Sequence, residues 1–184
     1  DFSPASIKYA KSNANLEGLN INYELGDIRK VRYGTGFDLI FMIYGEFNTF
    51  RKRDAEIILQ KTWDALNPGG LIILEPHLFD AIKQEGLLPD YKKILQKGLV
   101  SDYPHEYFVQ YYWNNNECIS TRCIQIKETN TNIIKKNYSS MQAYKEQEYN
   151  QLIRNVGFTK IKKFPTLTGY KNKIHEGLFV IAAN

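Results

Sequence analysis

The sequence predicts an α/β fold with a mostly parallel sheet, a C-terminal antiparallel strand and an inserted antiparallel β-meander. Three observations carry this prediction. Residues 37–44 form an almost continuous apolar run, as a strand covered by helices on both faces requires. A helical stripe and a second apolar run follow at short spacing, which is typical of a right-handed parallel strand–helix–strand unit. The chain then ends as a helix followed by two strands, rather than as another parallel unit.

The first helix is predicted to begin at Ser3-Pro4, because serine caps free backbone N–H groups and proline is tolerated at the first helical position. Apolar side chains then recur at helical spacing as far as Gly18, which ends the helix. Residues 21–25 alternate as a strand does and lead into Asp27. A strand is therefore expected at residues 21–25, before the apolar run.

A second amphipathic helix follows the apolar run. Its buried stripe is predicted to consist of Ala55, Ile58, Leu59, Thr62 and Leu66. Residues 67–70 (NPGG) force a sharp turn, and residues 71–76 form the next buried strand. The late helix closes at Gly157, and the last two strands are expected at residues 160–164 and 177–182.

Residues 103–144 have a different character and are assigned to the inserted β-meander. Aromatic and β-branched runs alternate there with asparagine-rich and threonine-rich turns, which favours antiparallel pairing. By alternation, Tyr107, Tyr111 and Trp113 share one face with Val109. That face could act as a lid and line a substrate pocket, or it could pack against the main sheet or a dimer partner.

The composition indicates an ordinary globular domain. An excess of 24 Lys and Arg over 20 Asp and Glu gives a net charge of +4, which is too small and too dispersed to favour a nucleic-acid partner. Cys118 and Cys123 are poorly placed to bridge each other, and free thiols suit a reducing compartment. With no apolar run long enough to span a membrane, we expect a cytoplasmic protein.

Four segments together resemble the class I S-adenosylmethionine-dependent methyltransferases, a Rossmann-like family. They are the opening DFSPASIKYA, ELGDI at residues 24–28, FDLIFMIYGEF at residues 37–47 and ALNPGGLIILEPH at residues 65–77. The helix–strand–strand ending matches as well. The resemblance implies a single methyltransferase domain over residues 1–184 that uses S-adenosylmethionine and acts on a small-molecule acceptor.

The resemblance also implies a cofactor site beyond the carboxyl ends of the strands. Asp1, beside Phe2, is the candidate for the ribose hydroxyls, although it could equally cap the first helix. Asp27 and the Ile28 amide are the candidates for adenine, although Asp27 could simply make a turn. The methionine end is expected near Ile43, Tyr44 and Gly45, where Tyr44 could instead be a core residue.

The acceptor is expected over the neighbouring strand ends, beside Phe47, Asn48 and Glu75. His77 is the first candidate for a general base, because its ordinary pKa lies near working pH, but it could also serve only to bond the backbone. Glu46 could orient an amine or hydroxyl, or form an ion pair with Arg51 or Arg53. No metal ligand set stands out.

The family's glycine-rich loop would precede Asp1, so the domain is expected to lack its N-terminal part in these 184 residues. Two other interpretations of the function remain open at this point. One is an NAD-dependent oxidoreductase of related fold, and the other is a non-catalytic, methyltransferase-like binding or dimerisation protein. A homodimer formed through the meander is a further expectation.

Overall fold

The computed structural model describes residues 1–98, 100–129, 133–168 and 177–184. Four helices and eight strands lie in these ranges, together with a short 3₁₀ helix at Glu46–Thr49. The helices are α1 (Pro4–Leu16), α2 (Lys52–Ala65), α3 (Phe79–Gly86) and α4 (Glu146–Asn155). The strands are β1 (Phe37–Met42), β2 (Leu66–Leu74), β3 (Tyr91–Leu95), β4 (His105–Asn114), β5 (Ile119–Glu128), β6 (Ile134–Gln142), β7 (Ile161–Phe164) and β8 (Val180–Ala183).

The main sheet is mixed, with the strand order β1–β2–β8–β7. β1 and β2 are parallel, as expected for strands joined through α2, and β8 is antiparallel to both β2 and β7. β1, β2 and β7 therefore run in one direction, and β8 is the one strand of this described sheet that runs against them, which fits the predicted mostly parallel sheet with a C-terminal antiparallel strand. The predicted helix–strand–strand ending is confirmed as α4, β7 and β8.

The predicted strand at residues 21–25 does not form. Residues 19–25 run as irregular backbone, and Ile21 and Leu25 are about half exposed. The adjacent backbone contact is with the start of the chain, where the Gly26 N–H donates to the Asp1 carbonyl. An alternating pattern becomes a strand only where another strand satisfies its N–H and C=O groups, and no described strand lies beside this segment.

The helical predictions hold in detail. Ser3 caps α1, with its Oγ accepting from the Ser6 N–H at 3.2 Å, and Pro4 occupies the first helical position. The α2 stripe is buried from Ala55 to Thr62 as expected, although Leu66 begins β2 rather than ending the helix. None of the helices in the described ranges is long and apolar enough to cross a bilayer.

The core lies between the main sheet and the helices α2 and α4. Its members are drawn from these three layers and from the loop after β1. They are Phe47, Ala55, Leu59, Ile72, Leu74, Tyr144, Tyr149, Leu152, Ile153, Phe158, Ile181 and Ala183. Trp63 of α2 closes one end with an edge-on contact to Phe158, at a ring-centroid distance of 4.8 Å.

A second sheet, β3–β4–β5–β6, is antiparallel throughout and corresponds to the predicted meander with β3 added. α3 packs on one of its faces. Phe79 meets Trp113 edge-on at 6.0 Å, and Gly86 allows close approach, because a Cβ there would lie 3.0 Å from the Tyr112 carbonyl oxygen. The aromatic face of β4 is thus partly covered by a helix that the sequence reading did not include.

Candidate active site

A cavity of 820 Å³ lies where the start of α1, the loop before β1, the segment after β1 and the strand β6 meet. This volume is within the roughly 300–1,000 Å³ that small-molecule sites occupy. It brings together five of the residues selected from the sequence. These are Asp1, Phe2, Asp27, Ile28 and Glu46. A second cavity of 640 Å³ over Leu71, Ile73 and Val180 has no carboxylate in its lining, so the first is the candidate site.

Asp1 performs the capping role that was one of its two predicted alternatives. Its Oδ1 accepts from the Ser3 N–H at 2.8 Å, which satisfies a donor at the start of α1. Its carbonyl accepts from the Gly26 N–H at 2.9 Å, and this places Asp1 beside the loop that carries Asp27. The cap occupies Oδ1 only, so Oδ2 remains available to a ligand hydroxyl.

Asp27 is held by Arg29. Oδ1 accepts from the Arg29 N–H and Nε, each at 2.9 Å, and Oδ2 accepts from Nη2 at 2.8 Å. These hydrogen bonds lower the pKa of Asp27 to about 2, so the carboxylate is ionised at any working pH. Arg29 in turn reaches Asp54 at the start of α2, at 3.0 Å. The Asp27 carboxylate is therefore held in one orientation. Its Oδ2 accepts one hydrogen bond from Arg29 and has a second lone pair for a ligand.

The backbone of the same loop is tied down behind the cavity. The Ile28 carbonyl accepts from the Lys61 Nζ at 3.1 Å and from the Tyr33 hydroxyl at 3.0 Å. Lys61 also lies over the Tyr33 ring, with its Nζ 4.6 Å from the centroid. Lys61 of α2 thus holds the peptide group that follows Ile28 behind the cavity.

Two left-handed residues follow β1. Tyr44 has φ 59° and Gly45 has φ 70°. Glu75, at the end of β2, holds this turn: its Oε2 accepts from the Tyr44 N–H and its carbonyl accepts from the Gly45 N–H, both at 2.8 Å. A Cβ on Gly45 would lie 2.2 Å from the His77 Nε2, so only glycine fits there. The turn rests directly on the His77 ring.

This geometry separates the predicted methionine-end residues from the cavity lining. Tyr44 points outward and is 73% exposed, whereas Gly45 is buried and Ile43 is half-buried. None of the three lines the cavity, although Glu46 immediately after them does. Tyr44 is therefore neither a core residue nor a wall of the cavity.

Asn48 is fully buried and serves as the centre of a hydrogen-bond network. Its Oδ1 accepts from the His77 N–H at 2.8 Å, and its Nδ2 donates to the Gln142 carbonyl at 2.8 Å and to the Tyr149 hydroxyl at 2.7 Å. The Tyr149 hydroxyl donates to the His77 carbonyl at 3.0 Å. This network joins β2, β6, α4 and the segment after β1.

The predicted substrate contacts Phe47, Asn48 and Glu75 are all buried in the described part of the chain. Phe47 is 1% exposed and packs between the rings of Tyr144 and Tyr149. Asn48 has its acceptor and donor groups engaged by the backbone and Tyr149, and Glu75 is 3% exposed beneath the turn. The reason is the 3₁₀ helix Glu46–Thr49, which directs these side chains inward while Glu46 faces the cavity.

His77 and Glu46, the two candidates for the base, occupy different environments. His77 is half-buried beneath Gly45, and burial lowers its pKa below 6.5, against a smaller opposing effect of Glu85. It is therefore neutral at neutral pH and able to accept a proton. Glu46 is exposed on the cavity wall, and within the described ranges no ion pair joins it to Arg51 or Arg53.

The meander contributes to the cavity through β6, not through the aromatic face of β4. Ser139 and Ser140 line the cavity, and the Arg51 Nη2 donates to the Ser140 Oγ at 3.1 Å. Tyr107, Tyr111 and Trp113 lie on the side of the second sheet that faces α3. Sequence reasoning missed the two serines, because alternation along a strand does not reveal which strand will meet the cavity.

Comparisons with known proteins agree with this geometry. Residues 1–70 match a family model described as a methyltransferase domain. Comparison with curated proteins gave no match. Among solved structures, the whole chain superposes on 72% of a S-adenosylmethionine-dependent methyltransferase from Clostridium acetobutylicum, with 15% identity and a TM-score of 0.75.

Two further solved structures share the fold. The CcbJ methyltransferase from Streptomyces caelestis is similar over 100% of this chain and 72% of its own, with 8% identity and a TM-score of 0.72. The S-adenosylmethionine-bound amino pentose methyltransferase CalS10 from Micromonospora echinaspora has the same coverages, 16% identity and a TM-score of 0.61. The chain thus matches a methyltransferase-domain model over residues 1–70 and shares the fold of solved S-adenosylmethionine-dependent methyltransferases.

Proposed function

We propose that the protein transfers a methyl group from S-adenosylmethionine to a small-molecule acceptor, with the cofactor in the 820 Å³ cavity. One observation carries the proposal. The carboxylates of Asp1 and Asp27, which are 26 positions apart in the chain, converge on one cavity whose far wall holds Glu46. In this class of sheet a carboxylate in the ligand crevice can accept hydrogen bonds from the hydroxyls of a nucleoside.

The residues present fit the cofactor. Asp1 would accept from the ribose hydroxyls through its unused Oδ2, and Asp27 would accept from the adenine amino group through the remaining lone pair on Oδ2. The Ile28 N–H would donate to an adenine ring nitrogen, and Phe2 would cover the base. The turn of Ile43, Tyr44 and Gly45 lies outside the cavity lining and would border the methionine end only through Glu46, which follows it. S-adenosylmethionine supplies a methyl carbon activated by a positively charged sulfur.

The protein's own contribution is chiefly positioning. Holding two reactants in line can contribute about 7–11 kcal/mol to lowering the barrier. Glu75 and Asn48 fix the turn that leads into Glu46, so Glu46 can orient an acceptor amine or hydroxyl at the cavity wall. His77, kept neutral by burial, would take the proton if the accepting atom starts protonated.

A small-molecule acceptor is supported by the second sheet and by the structural neighbours. The sheet closes one side of the cavity through Ser139 and Ser140, which suits an enclosed acceptor. The neighbours include an amino pentose methyltransferase, CalS10, and a sugar N-methyltransferase, KedS8. Tyr107, Tyr111 and Trp113 would then contact the acceptor, and a homodimer through the meander stays a prediction.

Isothermal titration calorimetry tests the proposal. The chain is titrated with S-adenosylmethionine and separately with NAD, and Asp27→Asn is compared with Asp102→Asn, an exposed control. We expect binding of S-adenosylmethionine only, weakened by Asp27→Asn and unaffected by the control. Binding of NAD alone would support the oxidoreductase reading, and binding of neither would support a non-catalytic protein.

A further inference from the structure

A row of side chains crosses three strands of the second sheet, from β6 at the cavity to β4. Arg122 on β5 pairs with Ser139 on β6 and with Tyr111 on β4. Directly paired residues project to the same face of a sheet, and neighbouring strands are about 4.8 Å apart. Because Ser139 lines the cavity, Arg122 lies roughly one strand spacing beyond the cavity wall and Tyr111 roughly two.

Arg122 has hydrogen-bonding capacity that the described residues do not use. Its Nε is buried without a partner in the described part of the chain. Its Nη1 lies 3.7 Å from the Glu85 Oε1 of α3, a separation that gives charge attraction but exceeds a normal hydrogen bond. The side chain is nevertheless 41% exposed. A guanidinium offers five donors, and the exposed part of this side chain is open to a ligand.

Three tyrosine rings form a group beside Arg122, and the charge of Arg122 acts on two of them, Tyr107 and Tyr111. The Tyr91 ring lies 6.2 Å from the Tyr107 ring and 6.4 Å from the Tyr111 ring, measured between centroids. Burial raises the pKa of both Tyr107 and Tyr111, whereas the charge of Arg122 acts in the opposite direction on each. Both phenols therefore remain protonated and can donate hydrogen bonds close to a positive charge.

The other charged groups on this face are of both signs. Lys93 adds a positive charge, with its Nζ 5.4 Å from the centroid of the Tyr91 ring. Asp90 is already engaged by the Gln110 Nε2 and the Tyr111 N–H, both at 3.2 Å. Glu85 is the acidic group that competes directly for Arg122. An anionic ligand would therefore displace one weak contact and gain several donors.

We propose that Arg122, with the hydroxyls of Tyr107 and Tyr111, binds an anionic oxygen group of the methyl acceptor, either a phosphate or a carboxylate. This proposal rests on the proposed function, which places the reacting end of the acceptor in the cavity. The anionic end of the acceptor would then lie one to two strand spacings from the cavity wall. Arginine suits both groups because its planar fork can donate two parallel hydrogen bonds.

Titration of the full chain with inorganic pyrophosphate and with succinate tests this site. We expect Arg122→Gln to weaken binding of the preferred anion about tenfold or more, because a charge-assisted pair is lost. Arg122→Lys should weaken it less, and Glu85→Gln should tighten it. Arg154→Gln, on the exposed surface of α4, is the matched control and should change nothing. The anion that binds more tightly identifies the group as phosphate or carboxylate.

Three results would overturn the proposal. The first is that neither anion binds at millimolar concentration. The second is that Arg122→Gln binds the anion as tightly as the wild-type protein, and the third is that Arg154→Gln weakens binding as much as Arg122→Gln. S-adenosylmethionine binding is measured on the same samples and should not depend on Arg122. If the anion site responds as expected while S-adenosylmethionine fails to bind, the proposed function fails and the anion site stands. Urea unfolding of each variant, with Arg122→Lys as the milder change, separates loss of binding from loss of fold.

Discussion

The two sides of the candidate site are built in opposite ways. On the exposed side, Asp1 and Asp27 meet partners that are near in sequence and partly open to solvent. On the buried side, Asn48 and Tyr149 join segments about a hundred residues apart with almost no exposure. Exposed groups can exchange a protein partner for a ligand at little cost, whereas buried groups cannot. The comparison therefore assigns ligand contacts to the first side and backbone positioning to the second.

The largest expected effect concerns His77, which belongs to the buried side yet is a candidate base. His77→Gln should lower kcat by about 10²–10⁴-fold if the ring takes the proton. Because burial lowers the pKa of His77, the wild-type rate should fall only below about pH 6.5, where the ring becomes protonated, and stay level above it. A pH–rate profile checks both points. If the rate of His77→Gln still falls at acid pH as the wild-type rate does, His77 is not the base. Either Glu46 is then the base or the reaction uses none.

Asn48→Ala should cost about 4 kcal/mol of unfolding free energy, because it leaves the His77 N–H, the Gln142 carbonyl and the Tyr149 hydroxyl without their partner. Urea unfolding measures this change. Asn22→Ala, at an exposed position in irregular backbone, is the control and should be nearly neutral. Equal stability of the two variants would contradict the supporting role of the buried side.

Gly45→Ala should cost about 3 kcal/mol, made up of the left-handed backbone and the overlap with the His77 ring. Gly34 supplies a matched control, since it has φ 74° and open space around its Cβ position. Gly34→Ala should therefore cost only about 1 kcal/mol for the backbone. The double variant Gly45→Ala with His77→Ala should recover part of the difference, as measured by urea unfolding. No recovery would mean that the turn does not rest on His77.

Asp27→Asn should weaken S-adenosylmethionine binding about tenfold, the equivalent of one lost charge-assisted hydrogen bond, with little change in the unfolding midpoint. Comparing the unfolding midpoints of Asp27→Asn and Asn48→Ala therefore tests whether the exposed side binds the ligand and the buried side stabilises the fold. A large loss of stability in Asp27→Asn would place it with the buried side instead.

The smallest effect is a pKa change. Arg29→Gln should raise the pKa of Asp27 from about 2 toward its ordinary value, because the Arg29 hydrogen bonds are the main cause of the lowering. The stabilisation from this pair is present above the unfolded-state pKa and is lost as the pH falls toward 2. Carbon-detected NMR titration measures the carboxyl directly, and Arg32→Gln serves as the control. An unshifted Asp27 in Arg29→Gln would contradict the pairing.

Local patterns determined the helices, the apolar strands and the exposed half of the site. Ser3 and Pro4 fixed the start of α1, the α2 stripe fixed its buried face, and NPGG fixed the turn into β2. These features depend on interactions between residues close in sequence, so the sequence alone predicts them. Asp1 and Asp27 were selected through the resemblance, and they border the cavity although no described strand precedes either of them; Glu46 follows β1, as expected for a residue beyond a strand end.

Tertiary structure decided the rest, because burial depends on partners far along the chain. β1 and β2 are similar apolar runs, yet Phe41 is 62% exposed and Leu74 is 2% exposed. Phe41 pairs with Ile73 and Leu74 pairs with Met42, so the two side chains project to opposite faces, and α2 and α4 cover only the face of Leu74. In the same way, only the folded chain reveals that Asn48 turns inward to Tyr149 and that β6 meets the cavity. Sequence periodicity specifies which faces of an element are apolar, but not which element will lie against them.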